Sequence, residues 1–262
     1  MKPPLSIAFA FLVFAICQAD LMPAAPPSTA TAPAKSEEPF WPPGGVFSGK
    51  GKTSSWSGFR EKNLQRRTLF AEHQATDQNA LVFVGDSITE GWQTLDQDFS
   101  SLGIKVVNRG IGGDTTPNLL YRLQDDVLSL HPRALVILIG TNDIAELTPP
   151  ADIANNLKTI RTQIRKQFPS IPIAWCLVMP RGNPALKQPV QELNALIRKL
   201  VEADSKITLC DSFTPLAQPD NFANPADFVP DLLHLNPSGY AVWRTALLPI
   251  VSRWKLAVPT QP

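Results

Sequence analysis

Ser87 and His234 are the residues of this chain whose types, taken together, could do nucleophilic chemistry. A serine hydroxyl attacks poorly until a neighbouring base takes its proton, and a neutral imidazole is the usual base. The chain has three histidines. His73 falls in a helical stretch ahead of the first apolar run, and His131-Pro132 enters the third such run from its amino end. His234 alone follows the last run. Asp231 stands three residues earlier, one helical turn away, from where a carboxylate could hold the imidazole Nδ1–H and leave Nε2 to accept the proton of Ser87 Oγ. Two further segments, Asn108-Arg109-Gly110-Ile111-Gly112-Gly113-Asp114-Thr115 and Gly140-Thr141-Asn142-Asp143, add glycines that permit close approach and an amide donor.

Residues this far apart in sequence need a frame that gathers them. Short, continuous apolar runs lie at 80–84, 104–108, 134–139, 171–178 and 207–210, each ending in a turn-rich segment. Between them are helical stripes with spacings of three and four: Leu119, Leu120, Leu123, Val127 and Leu130; Ile153, Leu157, Ile160, Ile164 and Phe168; Val190, Leu193, Ile197 and Leu200. A last stripe, Trp243, Leu247, Val251 and Trp254, follows Asn236-Pro237. Strands apolar on both faces, alternating with amphipathic helices, predict a doubly wound α/β domain with a five-stranded parallel sheet. In such a sheet ligands meet the carboxyl ends of the strands. The glycine-, serine- and histidine-bearing segments all fall at that edge.

Each segment also has a local explanation. Ser87-Ile-Thr-Glu90 reads as a capping box, with the hydroxyl capping a helix and Glu90 reaching back. Asp114 or Thr115 could cap the next helix, and Gly140 to Asp143 could be a turn. No single one of these explanations requires the others to arrive on the same edge. A metal-dependent phosphoesterase could use Asp86, Asn142, Asp143 and His234, but such sites take several histidine and aspartate ligands and this edge has one histidine. A dinucleotide reading of Gly110-Ile-Gly112-Gly113 fails at Thr115, where a third glycine is needed. No metal and no cofactor are expected.

Gly85-Asp86-Ser87, Gly113 within NRGIGGDTT, Asn142 within GTND, and Asp231 and His234 within DLLHLNPSGY resemble, in order, the four sequence blocks of the SGNH/GDSL hydrolase superfamily. The resemblance runs from about residue 60 to residue 254. Within the superfamily, VFVGDSITEGW, GIGGDTT, LVMPRGNP and DLLHLNPSGY are most similar to the platelet-activating-factor acetylhydrolase catalytic subunits and their bacterial esterase relatives. The resemblance implies a flavodoxin-like three-layer α/β/α fold. It makes Ser87 the nucleophile, His234 the general base and acid, and Asp231 its orienting partner. It also makes the Ser87 and Gly113 backbone N–H groups and the Asn142 side-chain amide an oxyanion hole. Ile88 stands where the first block is often written with leucine, a change without chemical consequence.

The resulting expectation is a serine esterase of short, chiefly acetyl, esters, with a small-molecule substrate such as an acetylated carbohydrate. A lysophospholipase or lipase of the same superfamily and a non-catalytic glycan-binding relative are the alternatives. The connections at the catalytic edge are lean, apart from residues 212–236. There Phe213, Leu216, Phe222 and Phe228 either wall a small acyl pocket or simply pin the loop to the domain.

The 262 residues carry a formal net charge of +1, which leaves no electrostatic footprint for nucleic acid. Lys2 and the apolar run from Leu5 to Ile16 read as a signal peptide over residues 1–19, too short to be a transmembrane span. Cys17 and Ala19 fit the −3 and −1 positions of a cleavage site, so export to the periplasm or medium is expected; lipidation at Cys17 is disfavoured by Ile16. Residues 20–56 read as a Pro/Ala-rich tether and extension, whose end Trp41, Val46, Phe47 and Trp56 could lay across the domain, 57–257 as the hydrolase domain and 258–262 as a tail. Cys176 and Cys210 sit in strand-like runs and are expected to be buried thiols. Nothing in the sequence specifies an oligomeric state.

Overall fold

The computed structural model describes residues 40–256, so the signal peptide, Cys17, the first part of the tether and the tail lie outside the described residues. In chain order the elements are α1 Phe59–Glu72, β1 Leu81–Gly85, α2 Ser87–Glu90, α3 Leu95–Asp98, β2 Val106–Gly110, α4 Thr116–Asp126, β3 Ala134–Leu138, α5 Thr141–Ala145, α6 Pro150–Gln167, β4 Ile173–Cys176, α7 Pro184–Glu202, β5 Ile207–Cys210 and α8 Pro237–Arg253. All strand pairs are parallel, in the order β2-β1-β3-β4-β5. This is the flavodoxin-like order, in which the direction of winding changes between β1 and β3.

Side chains alternate across each strand, and both faces are covered. Val82, Val84, Leu135, Ile137, Ile173 and Trp175 pack under the stripes of α4, α6 and α7. Leu81, Phe83, Val136, Leu138, Ala174 and Cys176 pack on the other face against Trp92, Phe99 and the Trp243, Leu247, Val251 stripe of α8. Cys176 and Cys210 are free, buried and paired in register on β4 and β5. No helix among the described residues is long and apolar enough to cross a membrane.

The strands differ from the apolar runs at their ends. β2 begins two residues later than its run and continues to Gly110, which pairs with Gly85. The reason is close packing of α2, since a Cβ on Gly110 would lie 2.3 Å from the Glu90 backbone nitrogen. The fourth run overshoots β4 at both ends. The α4 stripe extends past the helix, which stops at Asp126 and tightens into a 3₁₀ turn over Leu128–Leu130. His131, held before Pro132, then takes a left-handed conformation at φ 47° and ends the turn.

Residues 40–56 are not a free tether. Trp41 packs edge-on against Phe47 and Phe59 at ring separations of 5.0 and 5.9 Å, and Phe47 against Tyr121 at 5.5 Å. Lys50 exchanges two backbone hydrogen bonds with the Asn156 amide at 2.9 and 2.6 Å. This stretch is a strap laid over α1, α4 and α6.

Candidate active site

The end of β1 turns directly into α2, which makes Ser87 the first helical residue. Its N-cap is Asp86, whose Oδ1 accepts the Ile88 N–H at 3.0 Å. The capping-box reading of Ser87 and Glu90 is therefore corrected: the preceding aspartate does the capping, and the serine hydroxyl is left for other work. Ser87 Oγ lies 2.8 Å from His234 Nε2, and His234 Nδ1 lies 2.6 Å from Asp231 Oδ2.

The Asp231–His234 pair forms differently from the helical turn expected. The segment is a turn between β5 and α8, closed by Asp231 Oδ1, which accepts the backbone N–H groups of Leu233 and His234 at 2.9 Å each. Leu232 takes a left-handed φ of 51°, rare for leucine, and is held there by its N–H to Val229 O and its O to Gly182 N–H. Burial alone would raise the Asp231 pKa, but the hydrogen bonds from the His234 side chain and from the backbone N–H groups of His234 and Leu233 outweigh it and hold the carboxyl below its ordinary value. An ionised carboxylate only accepts. The imidazole proton must then sit on Nδ1, so Nε2 accepts from the Ser87 hydroxyl.

Gly113, at φ +80°, lies in the loop after β2. A Cβ there would meet Phe59 at 2.8 Å, so glycine is required twice over. The neighbouring Gly112 N–H donates to Glu90 Oε2 at 2.6 Å, and Glu90 is in turn held by Lys62 at 3.4 Å and Arg66 at 3.8 Å. Asn142, at the start of α5, donates one amide N–H to Asp114 O at 2.9 Å, which fixes its plane and leaves the second N–H for the cavity. Among the described residues the backbone N–H groups of Ser87 and Gly113 have no protein acceptor. Ser87, Gly113, Asn142 and His234 line one cavity of about 510 Å³.

Several supports were not legible as such. Asp143, in the first turn of α5, caps α4, accepting the Thr116 N–H at 3.0 Å and its hydroxyl at 2.5 Å, where Asp114 or Thr115 was expected. Asp114 instead pairs with Arg122 at 2.8 Å, both fully buried, and Arg122 also donates to Gly85 O and Arg109 O. A charged residue inside the apolar α4 stripe was the available signal. The four residues of the phosphoesterase reading are each engaged elsewhere. Among the described residues no three His, Cys, Asp or Glu side chains converge as a metal set. His73 and His131 lie away from the cavity, His73 ending α1 and His131 stacking edge-on with Phe168. In the long 212–236 loop, Leu216 and Phe228 are buried in the core, Phe213 packs against it, and Phe222 lies under Lys187. These side chains pin the loop and line no part of the cavity. Its apolar contributions come from Leu233 and from Trp56 of the strap.

The catalytic edge also stores a pH dependence. Burial pushes the Asp86 carboxyl up to about 7; the Ile88 N–H opposes this and the nearby Asp114 charge adds to it. Burial likewise raises Asp143 to about 7 and Asp114 to about 6. The folded chain thus keeps protons that the unfolded chain releases near pH 3.8. Stability is full below that pH for these groups and falls as pH rises towards 7. The urea midpoint of the wild type is expected to drop between pH 5 and 8. Asp86→Asn, which keeps the acceptor for Ile88 N–H but cannot ionise, should flatten that slope; an unchanged slope would show that Asp86 does not titrate in this window.

Comparison with known proteins follows the same lines. A model of the GDSL-like lipase/acylhydrolase family matches residues 83–242. The alpha2 subunit of human platelet-activating factor acetylhydrolase IB is 31% identical over 171 residues, covering 62% of this chain and 71% of that protein. A GDSL-like lipase from Bacteroides thetaiotaomicron superposes with a TM-score of 0.62 at 27% identity, covering 71% of this chain and 97% of that one. An acetylxylan esterase from Geobacillus stearothermophilus shares the fold, with a TM-score of 0.58 at 18% identity, over 68% of this chain and 94% of that one.

Proposed function

The chain belongs to the GDSL-like lipase/acylhydrolase family of SGNH hydrolases and is a carboxylic ester hydrolase, and from that premise we propose that it is an exported serine esterase removing short acyl groups, acetyl foremost, from small alcohols such as carbohydrates. The observation that carries this reading is the 2.8 Å and 2.6 Å relay from Ser87 through His234 to Asp231, opening onto a cavity with three free N–H donors.

In this mechanism Ser87 Oγ attacks the ester carbonyl carbon while His234 Nε2 takes its proton. Asp231 keeps the imidazole in the productive tautomer and stabilises the imidazolium. The carbonyl oxygen becomes an oxyanion among the Ser87 N–H, the Gly113 N–H and the Asn142 amide. Collapse of the tetrahedral intermediate releases the alcohol, which takes its proton from His234. Water, deprotonated by the same imidazole, then frees the acid from the acyl-enzyme.

Two points support a short acyl group. The human relative is named an acetylhydrolase. A long alkyl chain in this cavity would take water from the Lys62–Glu90 pair and from Gln93, which line it, and desolvating charged groups is costly even when they are paired. A p-nitrophenyl ester series is expected to give kcat/KM for acetate and propionate at least about tenfold above decanoate and longer chains. A profile peaking at long chains would move the enzyme to the lipases.

A further inference from the structure

Residues 40–56 precede the segment matched by the family model, yet they help to build the cavity over Ser87. The strap is a fixed structure. Besides the Asn156 pair, Lys50 Nζ meets Asp152 at 3.1 Å and the Ser55 N–H donates to Glu146 Oε1 at 2.5 Å. Gly49 and Gly51 sit so close to Asn156 and Thr148 that a Cβ would come within 2.7 Å of each. This anchoring delivers two side chains to the cavity. Ser54 Oγ lies against Gly113 and accepts the Trp56 N–H at 3.3 Å. Trp56 lies over Gly58, its O accepts the Phe59 N–H at 3.0 Å, and the residue remains 51% exposed.

An exposed indole on a rigid mount beside a nucleophile needs a reason. An acetyl group has three heavy atoms and fills a small part of about 510 Å³, so most of the cavity is left to the alcohol half of the ester. Its lining sets that half's chemistry. Trp56 offers one flat apolar face, and Lys62 and Gln93 offer donors. The Glu90 carboxylate is already taken up by Lys62, Arg66 and the Gly112 N–H, two cations against one anion. A quaternary ammonium would be drawn to the Trp56 face but finds no free anion among the lining side chains and is opposed by the excess positive charge of Lys62 and Arg66. A neutral ring with one C–H face and several hydroxyls fits.

We propose that the strap is a specificity element, in which Trp56 stacks on the sugar ring of the alcohol half while Lys62 and Gln93 hydrogen-bond its hydroxyls. This rests on the serine-esterase reading above. The test is pH-stat kinetics of the wild type, Trp56→Ala and Trp56→Tyr on methyl 6-O-acetylglucopyranoside, whose other ring hydroxyls are free, ethyl acetate and acetylcholine. Trp56→Ala should raise KM for the sugar ester about tenfold with kcat nearly unchanged, and leave kcat/KM for ethyl acetate within about twofold. Trp56→Tyr should keep most of the sugar preference. Equal losses on the sugar ester and ethyl acetate would make Trp56 a mere support for the Gly113 loop and overturn the proposal. So would no loss on either, a loss confined to acetylcholine, or a wild type that favours ethyl acetate over the sugar ester. A wild type inert towards all three, and unlabelled by a fluorophosphonate, would remove the esterase reading and the strap's role with it. An active one whose substrate ratio does not move with Trp56 removes the strap's role alone.

Discussion

Ser87→Ala is expected to abolish fluorophosphonate labelling and to lower ester turnover by about 10⁴-fold or more. The argument rests on how little else the hydroxyl does. Its one hydrogen bond is to His234, and the cap of α2 belongs to Asp86. Alanine suits the first helical position, so the fold and its melting temperature should hardly change. Loss of function with an intact fold therefore reports chemistry, because without Oγ no acyl-enzyme can form. Intact-mass spectrometry after fluorophosphonate treatment should show a single adduct on the wild type and none on the variant. Several per cent of wild-type turnover retained by Ser87→Ala would take Ser87 out of the mechanism.

The frame around Ser87 was readable because its signals are local. A strand buried on both faces must be apolar throughout, as 134–138 and 173–176 are, and a helix packed on one face must repeat at three and four, as α6 and α7 do. The residues brought to the cavity were readable because topology sends strand ends to one edge and the chain has so few histidines. What escaped depends on partners far along the chain. Glu90 looks like half of a capping box until Gly112 arrives beside it from the β2 loop. Asp143 looks like a turn residue until Thr116 presents its N–H across the switch between β1 and β3. No periodicity encodes either pairing, since each is made by the tertiary placement of strand-end segments that come from distant parts of the chain. The strap was legible in part, since Trp41, Phe47 and Trp56 suggest a segment laid across the domain without saying where it anchors. Gly, Ser and Pro dominate its sequence, which suggests a tether, yet aromatic contacts and glycines pressed against Asn156 of α6 and Thr148 just before it fix it. Composition reports what a segment can bury on its own, and this one is ordered by what it covers.

Of the three donors at the cavity, Asn142 is the one whose loss can be tested cleanly. The Ser87 and Gly113 donors are backbone groups, and any side chain at Gly113 would strain a φ of +80° and strike Phe59. Asn142→Ala removes the amide without touching the backbone. Its structural cost is the single hydrogen bond to Asp114 O, about 1 kcal/mol of stability. The kinetic cost should be larger and of a different kind. A ground-state carbonyl accepts weakly, whereas the tetrahedral oxyanion carries a full charge, so a donor aimed at it stabilises the transition state above the bound ester. The expected loss is about 10²- to 10³-fold in kcat, or about 3–4 kcal/mol, with KM for a short aryl acetate changed by no more than a few-fold. In the Ser87→Ala background the same substitution should do less, because Ser87 and Asn142 act on the same serine-derived intermediate and the losses of residues that act as a unit are not additive. Steady-state kinetics of the single and double variants check both statements. A change confined to KM would make Asn142 a substrate-binding residue, and the oxyanion would then be left to the two backbone N–H groups.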